Sequence, residues 1–287
     1  MKISGFTFLR NAVMNGYPFI ESILSLLPIV DEYVIAVGKS EDDTLDRLRS
    51  LESSKIKIIE TQWNESMRDR GFVYGQQKMV AHYNCTGDWA FYLEGDEVLH
   101  EDELPRIREQ IEAVHMDPKV ESLYFDFFHF YGTPNQVGIA VYRRAPRVIR
   151  NSIRVISPDG LFFVVLDKNK KGRYPRAKYA NASIYHYGHC RKARYTSSKL
   201  NQIGKYWGAE HEDFSTYGNI DTAELRVFTG SHPVVMAEWL ASSAEHDFVQ
   251  SSNYQLTRKD RRNRIRFWIE DKLGLEISKK HYKDLGV

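Results

Sequence analysis

Asp88-Trp89-Ala90-Phe91-Tyr92-Leu93 runs directly into Glu94-Gly95-Asp96-Glu97. The first six residues read as a buried strand. The tetrapeptide then sets carboxylates at i and i+2 on the carboxyl end of that strand. There they are expensive to desolvate unless a cation or hydrogen bonds compensate them. Hard divalent ions such as Mg²⁺ or Mn²⁺ take oxygen ligands and often bridge to substrate phosphates. The chemistry expected of Glu94 and Asp96 is therefore a metal–diphosphate site. The plainer alternative is an acidic turn leading into a helix capped by Asp102.

Working outward, strand and helix signals alternate through the first hundred residues. Ile3 to Leu9 reads as a strand. Pro18 opens a helix to about Leu27, with Phe19, Ile20, Ile23, Leu24 and Leu27 on one face. Tyr33 to Val37 is a second strand, apolar throughout, as when helices cover both faces. A helix over Thr44 to Leu51, a strand over Ile56 to Ile59 and a helix over Phe72 to His82 lead back to the strand ending at Leu93. This βαβα order implies an α/β fold built on a mainly parallel, doubly wound, Rossmann-like sheet. Such sheets bind ligands beyond the carboxyl ends of their strands, which is where Glu94 and Asp96 fall. Beyond Val120 the pattern changes to mixed strands, over Ser122 to Tyr131, Val141 to Ile149, Leu161 to Leu166 and Ala182 to His186. Ala193 to Tyr206 reads as a helix, and a basic tail follows from Leu256. The expected organisation is a catalytic domain over 1–190, with halves at 1–115 and 116–190, and a mainly helical extension over 191–287.

The chain has 287 residues, 42% hydrophobic and 27% charged, which is a globular composition. A formal net charge of only +2 argues against a protein built to neutralise nucleic-acid phosphates. Cys85 and Cys190 suggest a reducing compartment without a disulfide framework. Cys190 sits near His186 and His189, yet no Cys-x-x-Cys partner supports zinc. Met1 to Phe6 reads directly as a first strand, not a signal peptide, and no apolar stretch is long enough to span a bilayer. A cytoplasmic protein is expected.

Gly87 to Leu99, GDWAFYLEGDEVL, resembles the "GDW…LDADEVL" segment of family 2 glycosyltransferases with the GT-A fold. Phe8-Leu9-Arg10-Asn11-Ala12 resembles that family's opening strand and loop, Ser40-Glu41-Asp42-Asp43-Thr44 its "SxDGT" turn, and Tyr185-His186-Tyr187-Gly188 a late "YHYG" element. The resemblance covers roughly residues 1–190. It implies a GT-A-type mixed sheet and an enzyme that moves a sugar, hexosyltransferase-like, from a nucleotide-sugar donor to an acceptor hydroxyl. The acceptor class implied is a glycan or lipid-linked molecule of a cell-surface polysaccharide or lipopolysaccharide. Glu94 and Asp96 take the two acidic positions of the family's DxD motif, Asp96 as the direct ligand of Mn²⁺ or Mg²⁺. His186 becomes a further metal ligand or a diphosphate contact. The sequence departs from the pattern twice. Glu94 replaces the first Asp, and the second strand ends in Val37-Gly38-Lys39 rather than in a nucleobase-holding Asp, a role that backbone groups or Asp42 would have to take.

Each remaining candidate has an ordinary reading beside the functional one. Arg10 and Asn11 follow the first strand, where a nucleotide would rest, or are a surface Arg and a turn Asn. Gln77 and Lys78 would approach the donor, with Lys78 otherwise a solvated surface charge. An inverting transferase needs a general base. Asp159, in Ser157-Pro158-Asp159-Gly160, is one candidate; Asp126, among the aromatics of Tyr124 to Phe130, is the other. Otherwise they are a turn residue and the polar side of a strand. His129 would orient a sugar or pack. Arg147 and Arg150 would bind phosphate or form a solvated face. In the tail, the segment around Phe267 and Trp268 would touch an anionic membrane, or pack Ile265, Trp268 and Ile269 inward as one stripe. The stripe is the preferred reading. Rival functions are a nucleotidyltransferase, although Leu9-Arg10-Asn11-Ala12 is not its Gly-rich basic loop, a non-catalytic nucleotide- or glycan-binding module, and a nucleic-acid binder resting on the basic tail.

Overall fold

A computed structural model describes residues 1–67, 69–192, 195 and 218–286. The described residues build an α/β fold on one large mixed sheet. Its first half is β1 (Ile3–Leu9), α1 (Phe19–Leu26), β2 (Glu32–Gly38), α2 (Thr44–Arg49), β3 (Ile56–Thr61), α3 (Phe72–Tyr83) and β4 (Trp89–Tyr92). These four strands are parallel, in the order β3-β2-β1-β4. The chain winds from β1 toward β3 and then returns to the other side of β1. The loops after β1 and β4 therefore diverge and open a crevice at their carboxyl ends.

β5 (Glu97–Val98) follows the acidic turn and α4 (Leu104–Val114) covers the sheet behind it. His100, not Asp102, caps this region: its Nδ1 accepts the Asp102 backbone N–H at 3.3 Å. The second half is β6 (Ser122–Tyr131), β7 (Thr133–Gly138) and β8 (Arg144–Arg150), then a small antiparallel sheet of β9 (Val155–Ile156), β10 (Val164–Leu166) and β11 (Gly172–Arg173), and finally β12 (Arg176–His189). β8 runs antiparallel between β4 and β6, and β12 runs parallel to β6. The carboxyl ends of β6 and β12 thus reach the same rim as that of β4. The hairpin strand β7 is not evident in the sequence, because Thr133-Pro134-Asn135-Gln136 carries turn residues rather than an alternating apolar pattern.

The core is largely the expected one. Tyr33 to Val37 of β2 is buried on both faces, as parallel strands under helices require. In α1, Phe19, Ile23 and Leu26 point inward, but Leu24 is 39% exposed.

β13 (Leu225–Val227), α5 (Ala237–Ser242), α6 (Arg258–Leu273) and β14 (Lys283–Asp284) follow; β13 joins the large sheet antiparallel to β7, and β14 pairs with the start of β12. A capping box between Thr257 and Asp260 opens α6. The inward stripe expected of Ile265, Trp268 and Ile269 is corrected here. The buried residues of α6 are Asp260, Asn263, Phe267 and Glu270. Polar partners draw that face in: Asn263 donates to Glu224 at 2.6 Å and Arg143 to Glu270 at 2.5 Å. The helix read over Ala193 to Tyr206 lies outside the described residues, except Tyr195. No helix among the described residues is long and apolar enough to cross a membrane.

Candidate active site

The acidic turn is held from several sides. Glu97 N–H donates to the Glu94 carbonyl at 3.0 Å, and Glu94 N–H to the Glu97 carboxylate at 3.1 Å. Ser22 of α1 donates to the Glu94 carbonyl at 3.0 Å. Below the turn, Glu97 and Arg147 are both fully buried and form a two-point ion pair at 2.5 and 2.7 Å. This pair corrects the reading of Arg147 as a phosphate binder or solvated residue. It lies in the buried middle of its strand, so the guanidinium needs an internal counter-charge, and Glu97 supplies it. Arg150 is also not solvated: it donates to the carbonyls of Val114, His115, Asp117 and Val120 and lies over Trp89.

Glu94 stands 3.4 Å from Arg147 and leaves about a third of its side chain exposed (31%). Desolvation, then the neighbouring Glu97 and Asp96 carboxylates, push its carboxyl up to about 8 against the pull of Arg147. Lys78 also proves to be an internal charge, not a surface one. It is completely buried, donates to the Gly160 carbonyl at 3.1 Å, and sits 3.9 Å from the ring centres of Tyr92 and Phe163. Burial, reinforced by Arg147, holds its ammonium well below the usual lysine range, while Glu94 and Asp159 oppose that shift. A lysine in the helical run Gly75-Gln76-Gln77-Lys78-Met79 gives no sequence sign of this.

Asp96 is buried, and its carbonyl accepts the Tyr187 N–H at 2.8 Å. β5 pairs antiparallel with β12, His186 opposite Glu97, and His186 in turn lies opposite His129 of β6. Asp96 Oδ1 consequently stands 3.6 Å from His186 Nε2. The proton positions follow by elimination. His129 Nε2 lies 2.7 Å from the Tyr142 carbonyl, which can only accept, so that nitrogen carries the proton. Burial pushes His129 down to about 4, so its ring is neutral and Nδ1 accepts. His186 Nδ1, 3.1 Å away, must donate to it. The other ring nitrogen of His186, Nε2, faces the Asp96 carboxylate. Orientation of a ligating imidazole through its other N–H is the usual support of a metal site. A gap of 3.6 Å is a span that two atoms about 2.1 Å from one small ion can share. The donor set fits a divalent cation. Gly188 keeps the place open, since a Cβ there would come within 2.6 Å of His186 Nε2 and 2.8 Å of Asp96 Oδ2.

The other candidates divide. Asn11 is buried with φ 52°, where Asn is better tolerated than most residues, and accepts the Glu41 N–H at 2.8 Å. Asp42 accepts from Met14 N–H at 2.7 Å and from Thr44, so it ties the loops after β1 and β2 together. Arg10 pairs with Glu65 and lies 5.2 Å over the Trp63 ring. Trp63 in turn leaves no room for a side chain at Gly38, where a Cβ would fall 2.2 Å from its Nε1. Gln77 is buried and accepts from Thr61 at 2.6 Å. Asp159 closes a turn by accepting from Leu161 and Phe162 N–H, on the segment that meets Lys78. Asp126 is separated from the site. Side chains alternate along β6, so Phe127 and His129 face Arg147 and His186 while Asp126 faces the other way. There it is bound by Arg144 at 2.7 Å and by the Tyr179 hydroxyl. A carboxylate so paired is not poised as a base at the rim.

Burial pushes the Cys85 thiol up to about 12 and that of Cys190 higher still, and among the described residues neither joins a group of three His, Cys, Asp or Glu side chains that could hold a metal ion.

No family model matches the chain, and no curated protein matches it. Solved structures do. TarS 1–349 of S. aureus is 19% identical over 53% of this chain and 48% of that one, with a TM-score of 0.38. S. aureus TarS is 17% identical over 74% and 41%, with a TM-score of 0.40. Glucosyl-3-phosphoglycerate synthase from Mycobacterium tuberculosis, crystallised with Mg²⁺ and UDP, is 20% identical over 44% and 43%, with a TM-score of 0.30. The chain spans less than half the length of each of these proteins. The likeness is loose, and the reading of the site rests on its own residues.

Proposed function

We propose that this chain is a metal-dependent glycosyltransferase. It would transfer a sugar from a nucleoside-diphosphate donor to a hydroxyl of a glycan or lipid-linked acceptor, with inversion, in the synthesis of a surface polysaccharide or lipopolysaccharide. The supporting observation is the Asp96–His186 pair at the sheet's switch point, with His186 oriented through His129. We assign the chemistry to residues 1–190, with 191–287 as an extension, and place the protein in the cytoplasm.

Asp96 and His186 would hold Mn²⁺ or Mg²⁺. When bound, the ion supplies positive charge to the departing diphosphate. Among the described residues no three His, Cys, Asp or Glu side chains gather around one point, so donor oxygens and water would complete the coordination. Glu97 and Arg147 fix the turn that carries Asp96. Glu94 would stay on Arg147 as part of that support and would not ligate directly. Asp159 would take the acceptor proton, whereas Asp126, held by Arg144 and Tyr179 on the other face of β6, would not. The loops carrying Arg10, Asn11 and Asp42, with Gln77 behind them, would form the nucleotide's bed.

The test is thermal unfolding with UDP and other nucleoside diphosphates, with and without Mn²⁺. Ligand at a hundredfold excess over Kd stabilises the native state by about 2.7 kcal/mol. Asp96→Asn should remove the metal-dependent shift while leaving the apo melting temperature close to wild type. If no nucleoside diphosphate shifts the transition with metal present, the proposal fails.

A further inference from the structure

The outward side of α6 combines two features that a water-facing helix seldom has together. Ile265 and Trp268 are each 62% exposed and Leu273 is 63% exposed. On the same side, at spacings of three and four residues, stand the exposed cations Arg258, Arg261, Arg262 and Lys272. The acids of the helix lie elsewhere. Asp260 and Glu270 are buried, and Asp271 sits to the flank, 3.9 Å from Arg226. Two other helix cations are committed to the protein: Arg264 binds Asp221 at 2.7 and 2.8 Å, and Arg266 lies over Phe267. The chain leaving the helix continues the pattern, with Leu275 55% and Ile277 47% exposed ahead of Lys279 and Lys280.

We propose that this face of α6 docks on an anionic lipid surface, with Trp268, Ile265 and Leu273 entering the headgroup boundary and the flanking cations meeting lipid phosphates. Charge complementarity selects the occupant. A second copy would bring the same cations face to face, and like charges across an interface oppose association. A nucleic acid would answer the cations but not three protruding aliphatic and indole groups set among them. A membrane answers both. The face is remote from the Asp96 turn in sequence and owes nothing to the donor-site reading.

The experiment is flotation of the full chain with phosphatidylglycerol–phosphatidylcholine vesicles and with pure phosphatidylcholine vesicles, at low and physiological salt. Binding is expected to the anionic vesicles only, and to weaken with salt. Arg261→Ala with Arg262→Ala should weaken it about tenfold or more. Ile265→Ser with Trp268→Ser should weaken it comparably, with melting temperature unchanged because these side chains make no core. Absence of flotation, or flotation indifferent to both double variants, overturns the proposal. So does a dimer that the Ile265/Trp268 variant dissolves, or RNA binding that competes fully with vesicles and ignores the serine variant. Because no donor is present, this result stands apart from the nucleoside-diphosphate test.

Discussion

Replacing Arg147 by Met removes one charge from a place where two carboxylates depend on it. Arg147 and Glu97 are each fully buried and doubly bonded, and Glu94 lies 3.4 Å away. Methionine fills similar volume but leaves the Glu97 carboxylate in the interior without its counter-ion. Breaking a buried pair from one side costs about 3–5 kcal/mol. For a chain of this size that corresponds to roughly 6–20 °C of melting temperature, at about 2–4 °C per kcal/mol. The measurement is urea unfolding of four proteins: wild type, Arg147→Met, Glu97→Met and the double variant. Each single change should be costly. The double change should recover most of the loss, since an apolar pair of similar volume replaces a buried ion pair at little or no cost. The singles should also lose Mn²⁺-dependent nucleotide binding, because the turn that positions Asp96 is released. A single variant destabilised by less than about 1 kcal/mol, or additive effects in the cycle, would refute the assignment of this pair as the turn's internal anchor.

His129→Phe keeps the ring packing against Phe127 but removes the acceptor for His186 Nδ1. Mn²⁺ affinity in the presence of UDP should fall about 10- to 100-fold by calorimetry, and an unchanged affinity would count against the imidazole relay. Glu94 has its folded-state pKa raised to about 8 from an ordinary 4.5, so the folded form binds the proton more tightly and wild-type stability falls as pH rises between those values. Glu94→Gln removes that slope, and the stability difference should move in the variant's favour from pH 5 to pH 8; a flat difference would contradict the shift. Lys78 has its folded pKa depressed, so its charge destabilises the native state below the unfolded lysine value and less so as pH rises. Lys78→Met should therefore be more stable than wild type near neutrality and lose that advantage toward pH 11, as read by denaturant titration.

What the sequence alone determined is local and periodic. Alternating strand and helix patterns through Leu93 marked the parallel half of the sheet, because buried strands such as Tyr33 to Val37 must be apolar on both faces. The order of those elements put Glu94 and Asp96 at a carboxyl edge before any contact was visible, and Tyr185 to Gly188 singled out His186. Tertiary structure decided everything that depends on which distant strands become neighbours. Arg147 and Lys78 look like surface charges in one dimension, since a charge shows no partner until folding brings one within reach. Asp126 and His129 are three residues apart on one strand, and an odd spacing sends them to opposite faces, only one of which meets β12 at His186. The direction of α6 likewise depended on its partners. Its buried side is the one that finds Glu224 and Arg143 for Asn263 and Glu270, so Trp268 and Ile265 are left outside despite their hydrophobicity. Buried polar groups go where their hydrogen bonds are, and those bonds are fixed by contacts across more than a hundred residues in the case of Arg143 and Glu270.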